Sequence, residues 1–224
     1  MKKVWLIICL FLFIPGVFAE TKADLAPNSK SAILLDFDTG EILYSKNDNE
    51  VLPPASMTKI MSMLLIMERI DNKTLSLTDE VTISENAASM GGSQVFLQAG
   101  ETYKVEELLK GIAIASGNDA VVAMAEKVSG SVSDFVALMN EKAKSLGLTN
   151  TKFLNPHGLD TEGHVTTAHD MAIIARELIK HTSILKFTSI YEDYLKKNDG
   201  SSIWLVNTNK LVRFYDGVDG LKTG

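Results

Sequence analysis

From Ser56 to Ile70 the chain reads as a helix with almost no polar face. Ile60, Met61, Met63, Leu64, Leu65, Ile66, Met67 and Ile70 spread around nearly all of its sides. A helix that is apolar all round lies inside a molecule, so the other elements must wrap it. Pro53-Pro54 stops regular structure just before it, because proline lacks a donor and fixes its own φ. Ser56 and Lys59 therefore stand at the end of a buried helix, three residues apart and on one side of it. The methionines of this stretch read as core filler, since a thioether chain fits irregular gaps.

Other segments supply the wrapping. Ala32–Leu35 and Glu41–Tyr44 are short apolar runs separated by Asp36 to Gly40, the pattern of a hairpin. Residues 20–30 read as a polar lead-in. Val105 to Ala115 and Asp119 to Val128 read as two helices split by Ser116-Gly117-Asn118. Ser133 to Leu146 is a third, with Ser133 as the expected N-cap and Gly147 as its stop. Thr167 to His181 is a fourth, with Thr167 and Asp170 close to a capping box. Ser202–Val206 has strand composition, and Asp216-Gly217 and Asp219-Gly220 mark turns. Strand, then helices, then strand predicts a mixed α/β fold with a sheet layer on a helical cluster.

Three short motifs carry chemistry. Ser56-Met57-Thr58-Lys59 places an amine within reach of a hydroxyl. A serine is a weak nucleophile until a base takes its proton, and a lysine serves as base only when burial or a second cation lowers its pKa. Alone the motif is weak, because Ser is a common cap and Ser183-Ile184-Leu185-Lys186 matches it too. That second match follows a helix end and reads as chance. Ser116-Gly117-Asn118 is a Ser-x-Asn element with decoys at Ser45-Lys46-Asn47 and Ser84-Glu85-Asn86, the second of which reads as a solvated helix cap. Its flanks, Ile112 to Ala115 and Ala120 to Ala123, are apolar, so its polar groups must be hydrogen-bonded or functional. Lys222-Thr223-Gly224 occurs once. On a strand edge it would present an ammonium and a hydroxyl to a carboxylate, with Gly224 letting a substrate backbone approach.

Together, in this order, the motifs form the signature of penicillin-binding proteins and class A β-lactamases. From about Ala32 to Gly224 the sequence resembles the D-alanyl-D-alanine carboxypeptidases. The resemblance includes Asp38-Thr39-Gly40, Pro54 to Lys59, Ser116 to Ala120, Phe153 to Leu159 and Gly217 to Gly224. Glycine at 117, where β-lactamases usually carry Asp, is typical of the carboxypeptidases. The resemblance implies a β-lactamase/D,D-peptidase-like fold, with an antiparallel sheet packed against helices. It also implies a serine D,D-peptidase that needs no cofactor. Ser56 would attack the carbonyl between two terminal D-alanines of a peptidoglycan stem peptide, and Lys59 would take its proton. Ser116 would pass a proton to the leaving D-alanine, Asn118 would hold the substrate amide, and Lys222 and Thr223 would bind the terminal carboxylate. β-Lactam antibiotics would acylate Ser56. The same resemblance implies a domain over 20–224 that is C-terminally truncated. In the family the strand runs on past Lys-Thr-Gly to an oxyanion donor, and often into a second domain and a segment associated with the membrane. A class A β-lactamase would need a Glu-x-x-x-Asn element, and none lies between Asn118 and Lys222. A D,D-endopeptidase or a non-catalytic penicillin-sensing module would share these motifs.

Residues 1–19 read as a signal peptide: Lys2 and Lys3, an apolar run from Val4 to Ile14, Pro15-Gly16, then Val17-Phe18-Ala19. The run is shorter than the roughly 18 residues that would span a bilayer. The expected location is outside the cytoplasm, at the outer face of its membrane, in a periplasm or in the cell wall. The single cysteine, Cys9, lies inside this segment, so the processed chain would have no disulfide or thiolate chemistry. The net charge is −6 with no basic run, which argues against a nucleic-acid partner. His157, His164 and His169 read as one turn histidine and two surface ones rather than as a metal site. Gly91-Gly92 and Gly100 precede no Lys-Ser/Thr pair, so no phosphate loop is expected.

Overall fold

A computed structural model describes residues 24–197 and 199–224; the expected signal peptide and Cys9 lie outside them. The chain begins with β1 (Ala32–Leu35) and β2 (Ile42–Lys46), followed by a 3-10 turn over Ala55–Thr58 and α1 (Lys59–Asp71). Next come β3 (Glu80–Thr82), α2 (Glu85–Ala88), β4 (Thr102–Lys104), α3 (Val105–Ala113), α4 (Asn118–Ser129) and α5 (Val132–Ser145). The remainder is α6 (Ala168–Lys180), α7 (Leu185–Thr188), β5 (Glu192–Lys196), β6 (Ser202–Val206) and α8 (Leu211–Phe214). The strands pair as three antiparallel two-stranded ladders, β1 with β2, β3 with β4 and β5 with β6. Among the described residues no helix is long and apolar enough to cross a membrane.

The all-round apolar pattern of α1 is realised. Met61, Met63, Leu64 and Ile66 are fully buried, each worth about 1.5–3 kcal/mol relative to exposure. Helices α4, α5 and α6 pack on it, α6 also carries β1, and α3 carries β5. The first hairpin pairs Ala32 with Lys46 and Leu34 with Tyr44. Its turn is locked by the Asp36 carboxylate, which accepts from the Thr39 N–H at 2.7 Å and the Thr39 hydroxyl at 2.7 Å. Gly40 must be glycine there. Its φ is +77°, and a Cβ would sit 2.9 Å from the Arg176 guanidinium, which donates to the carbonyls of Phe37 and Asp38.

Helix ends follow local chemistry. Thr167 caps α6, accepting from the Asp170 N–H at 3.0 Å. Ser84 caps α2, accepting from the Ala87 N–H at 2.9 Å, as the solvated-cap reading of that decoy anticipates. The cap of α5 is Ser131 rather than the expected Ser133. Ser131 is extended and accepts from the Asp134 N–H at 3.0 Å, and its own hydroxyl donates to the Asp134 carboxylate at 2.7 Å. Gly130, left-handed at φ +80°, ends α4 immediately before it. Two serines two positions apart offer equal side-chain chemistry, and only the path of the backbone out of α4 chooses between them.

Candidate active site

The Ser56 turn is tighter than an α-helix. Pro54 accepts from the Met57 N–H at 3.2 Å, Ala55 takes a positive φ of 48°, and the chain winds as 3-10 until Lys59 opens α1. The expected helix from Ser56 thus begins three residues late. A 3-10 first turn is a common entry to a buried helix, and here it presents Ser56 at the rim.

Lys59 is fully buried. Its amine reaches the Ser56 hydroxyl at 3.1 Å, the Asn118 side-chain oxygen at 2.7 Å and the His157 carbonyl at 2.7 Å. Burial and then the charge of Lys222 pull its pKa from 10.5 down to about 7, against an opposing pull from Asp119. Two of the three contacts are carbonyl oxygens, which can only accept. The N–H bonds therefore point at Asn118 and His157, and in the neutral amine the lone pair faces the Ser56 hydroxyl.

Ser116 lies between α3 and α4 in the left-handed region, at φ +62°. Such strain in a non-glycine residue collects at functional positions. Its hydroxyl is one of three buried side-chain oxygens that have no hydrogen-bond partner among the described residues. Asn118 begins α4, one residue earlier than expected, and its amide donates to the Gly91 carbonyl at 2.7 Å while its oxygen holds Lys59. The structure thus brings Ser56, Lys59 and Asn118 into direct contact.

Lys222 joins them through its field on Lys59. Burial lowers its own pKa to about 8, and its ammonium meets neutral oxygens, Thr208 Oγ1 at 3.4 Å and the Thr223 carbonyl at 2.9 Å. The Thr223 hydroxyl donates to Thr208 Oγ1 at 2.7 Å. A Cβ on Gly224 would sit 3.1 Å from the Pro54 carbonyl and 3.1 Å from Met57 Cγ, so the triplet ends against the Ser56 turn. The expected strand at 222–224 is not present: these residues belong to no ladder. An extended segment becomes a strand only when a neighbour pairs its backbone, and no described strand lies alongside.

Several supports were not anticipated. Gly158 packs so tightly on the Ser56 turn that a Cβ would fall 1.8 Å from the Ala55 carbonyl oxygen. Asn155 shapes that loop, accepting from the N–H groups of His157 at 3.3 Å and Gly158 at 2.6 Å. His164 corrects the surface reading. It is buried, accepts from the Leu154 N–H at 2.9 Å and lies 2.8 Å from the Thr58 hydroxyl. Its Nδ1 is an acceptor, so the proton sits on Nε2 and is donated to Thr58. Burial holds the pKa of His164 below the usual histidine range and brings that of His157 to about 4. The carbonyls of Gly91 and His157 carry no side-chain signal, so spacing could not reveal them. Phe153 to Leu159 stood out only as part of the resemblance.

The chain is similar to known proteins along its described length. A family model described as D-alanyl-D-alanine carboxypeptidase matches residues 18–224. The chain is 59% identical over 221 residues to the D-alanyl-D-alanine carboxypeptidase DacF of Bacillus subtilis, covering 97% of this chain and 57% of that one. It is 39% identical to DacC of Escherichia coli, over 96% of this chain and 55% of the relative. Among solved structures, the D-alanyl-D-alanine carboxypeptidase DacD of Francisella tularensis superposes with a TM-score of 0.84 at 31% identity, over 90% of this chain and 60% of that one. Penicillin binding protein 5 of Haemophilus influenzae gives 0.81 at 35%, over 88% and 57%. The chain thus spans little more than half the length of these relatives, while the match runs through all three motifs. With Ser56, Lys59 and Asn118 in contact and Lys222 beside them, the chain belongs to the D-alanyl-D-alanine carboxypeptidase family of serine peptidases.

Proposed function

We propose that this chain carries the catalytic machinery of a serine D-alanyl-D-alanine carboxypeptidase that trims the terminal D-alanine from peptidoglycan stem peptides and is acylated by β-lactams. The observation that carries the reading is the Lys59 amine, buried between two carbonyl acceptors with its third position on Ser56. With a pKa of about 7, about half of Lys59 is neutral at pH 7. An unperturbed lysine would be neutral about a thousandfold less often.

The chemistry follows from the contacts. Lys59 takes the Ser56 proton as the oxygen attacks the carbonyl between the two D-alanines. Asn118, already tied to Lys59, places the substrate amide. The bond to the last D-alanine breaks as its nitrogen takes a proton through the hydroxyl of Ser116, which is resupplied with the proton that Lys59 took from Ser56. Lys222 and Thr223 hold the terminal carboxylate, which would give the Lys222 ammonium a charged partner in place of neutral oxygens. Water then frees the acyl group from Ser56. Residues 1–19, read as an export signal, would place this chemistry outside the cytoplasm, where the wall is.

The test is labelled penicillin given to the full-length protein, with tryptic mass spectrometry to find the label. It is expected on Ser56, and Lys59→Arg should lose most of it, because arginine stays protonated. Release of D-alanine from a stem pentapeptide should fall with it. Label on Ser183, on no serine, or at normal rate in Lys59→Arg would sink the assignment.

A further inference from the structure

We propose that Asp119 is the positioning residue of this site, holding the loop that shapes Asn118 and standing next in the chain to the residue that grips Lys59. The Asp119 side chain is buried and aimed at backbone. The Val95 N–H lies 3.1 Å from Oδ1 and 3.0 Å from Oδ2, the Leu97 N–H donates to Oδ2 at 3.1 Å, and the Ala120 N–H donates to Oδ1 at 2.9 Å. Phe96, between the two tied amides, is exposed and left-handed at φ +58°. A bulky residue adopts that region only when its surroundings impose it. Residues 90–100 contain no helix or strand, so scattered hydrogen bonds hold this loop, and Asp119 ties the two amides that flank Phe96.

The loop acts on the reacting groups through two carbonyls. Ser93 accepts from the Asn118 backbone N–H at 2.7 Å, and Gly91 accepts from the Asn118 side chain at 2.7 Å. Asn118 in turn holds Lys59. The path is continuous: Asp119, the 91–97 loop, Asn118, Lys59. Asp119 also acts directly through its charge. The groups around Lys59 are the Ser56 hydroxyl, Asn118, the His157 carbonyl, and the charged or titratable Lys222, Asp119 and His157. His157 is neutral at working pH, given its pKa of about 4. Lys222 favours the free amine, and Asp119 favours the ammonium. Asp119 thus keeps the base from losing its proton so readily that it could no longer accept one from Ser56.

The inference rests on the proposed function only in calling Lys59 the base, and its test reads Lys59 itself. The full-length protein is labelled with [13Cε]lysine, and the Lys59 resonance is identified by its loss in Lys59→Arg. Asp119→Asn removes the charge and keeps an acceptor oxygen. Its Lys59 titration midpoint should fall by about 0.5 pH unit or more, less than the 1–3 units of a charge in direct contact. Asp119→Ala also removes the acceptors. Hydrogen exchange at Val95 and Leu97 should then quicken about tenfold or more, as a tied loop joins the weakly held segments. An unchanged or raised midpoint in Asp119→Asn overturns the electrostatic role, and unchanged exchange in Asp119→Ala overturns the loop role. If Asp119→Ala fails to fold, the loop role is read instead from exchange at Val95, Leu97 and Ala120 in Asp119→Asn, where at least one of the three N–H groups should lose its acceptor. A protein that takes up no penicillin would defeat the proposed function without altering either reading.

Discussion

Replacing Lys59 by methionine keeps the length of the side chain and removes the amine, and the pH dependence of stability then reports what state that amine was in. A lysine open to water titrates near 10.5, and in the folded site Lys59 does so at about 7. Between those values the unfolded chain binds more protons than the folded one, so stability rises with pH. The penalty of burying the amine is full below pH 7, on the order of 4 to 5 kcal/mol, and lifts as pH climbs toward 10.5. Two carbonyls oppose a simple gain from methionine. Asn118 Oδ1 and the His157 carbonyl would lose their donor, at about 1–3 kcal/mol each. Absolute stabilities at pH 7 should therefore lie close together, and the slope decides. From pH 7 to pH 9 the wild type should gain on the order of 2 kcal/mol relative to Lys59→Met. Urea unfolding of both proteins at several pH values measures this. His157 titrates well below the window. Lys222 titrates near 8 and interacts with Lys59, so the same pair of curves in a Lys222→Ala background isolates the Lys59 effect. Parallel curves would mean that Lys59 is an ordinary ammonium in the folded state, and the argument for it as base would be refuted.

Two further substitutions probe the rest of the site. Lys222→Ala should reduce turnover of substrates ending in a free carboxylate by about 10- to 100-fold, the worth of a charged hydrogen bond, and reduce that of amidated analogues far less; equal losses would contradict a carboxylate-binding role. Gly158→Ala places a Cβ 1.8 Å from the Ala55 carbonyl oxygen, so it should destabilise by about 2–5 kcal/mol from strain and overlap together and displace Ser56. Gly163, at a similar positive φ of 84° against 87° at Gly158, would meet only Leu154 Cδ1 at 3.7 Å, so Gly163→Ala should cost about 1–2 kcal/mol and leave acylation intact. Similar acylation losses in both would remove the case for close packing under the nucleophile.

Much of this molecule is legible in its sequence because the signals are local. The all-round apolar helix needs no partner to be recognised, and its burial follows from composition alone. Capping at Thr167 and the hairpin at Asp36 to Gly40 depend on side chains reaching backbone a few residues away. Ser56 and Lys59 share one helical turn, so their contact follows from spacing. The remaining decisions join residues far apart along the chain. The Lys59 amine meets the His157 carbonyl 98 positions on, and a backbone oxygen looks the same at every residue. His164 is buried because the 155–164 loop folds down on the Ser56 turn, while its neighbours in sequence are those of a surface turn. The conformation of 222–224 depends on which strand pairs beside it, a property of the partner rather than of Lys-Thr-Gly. Asp119 shows the division within one side chain. Its place after Ser-Gly-Asn is visible in the sequence, but the amides it ties, 22 and 24 residues upstream, exist as a site only once the chain has closed around α1.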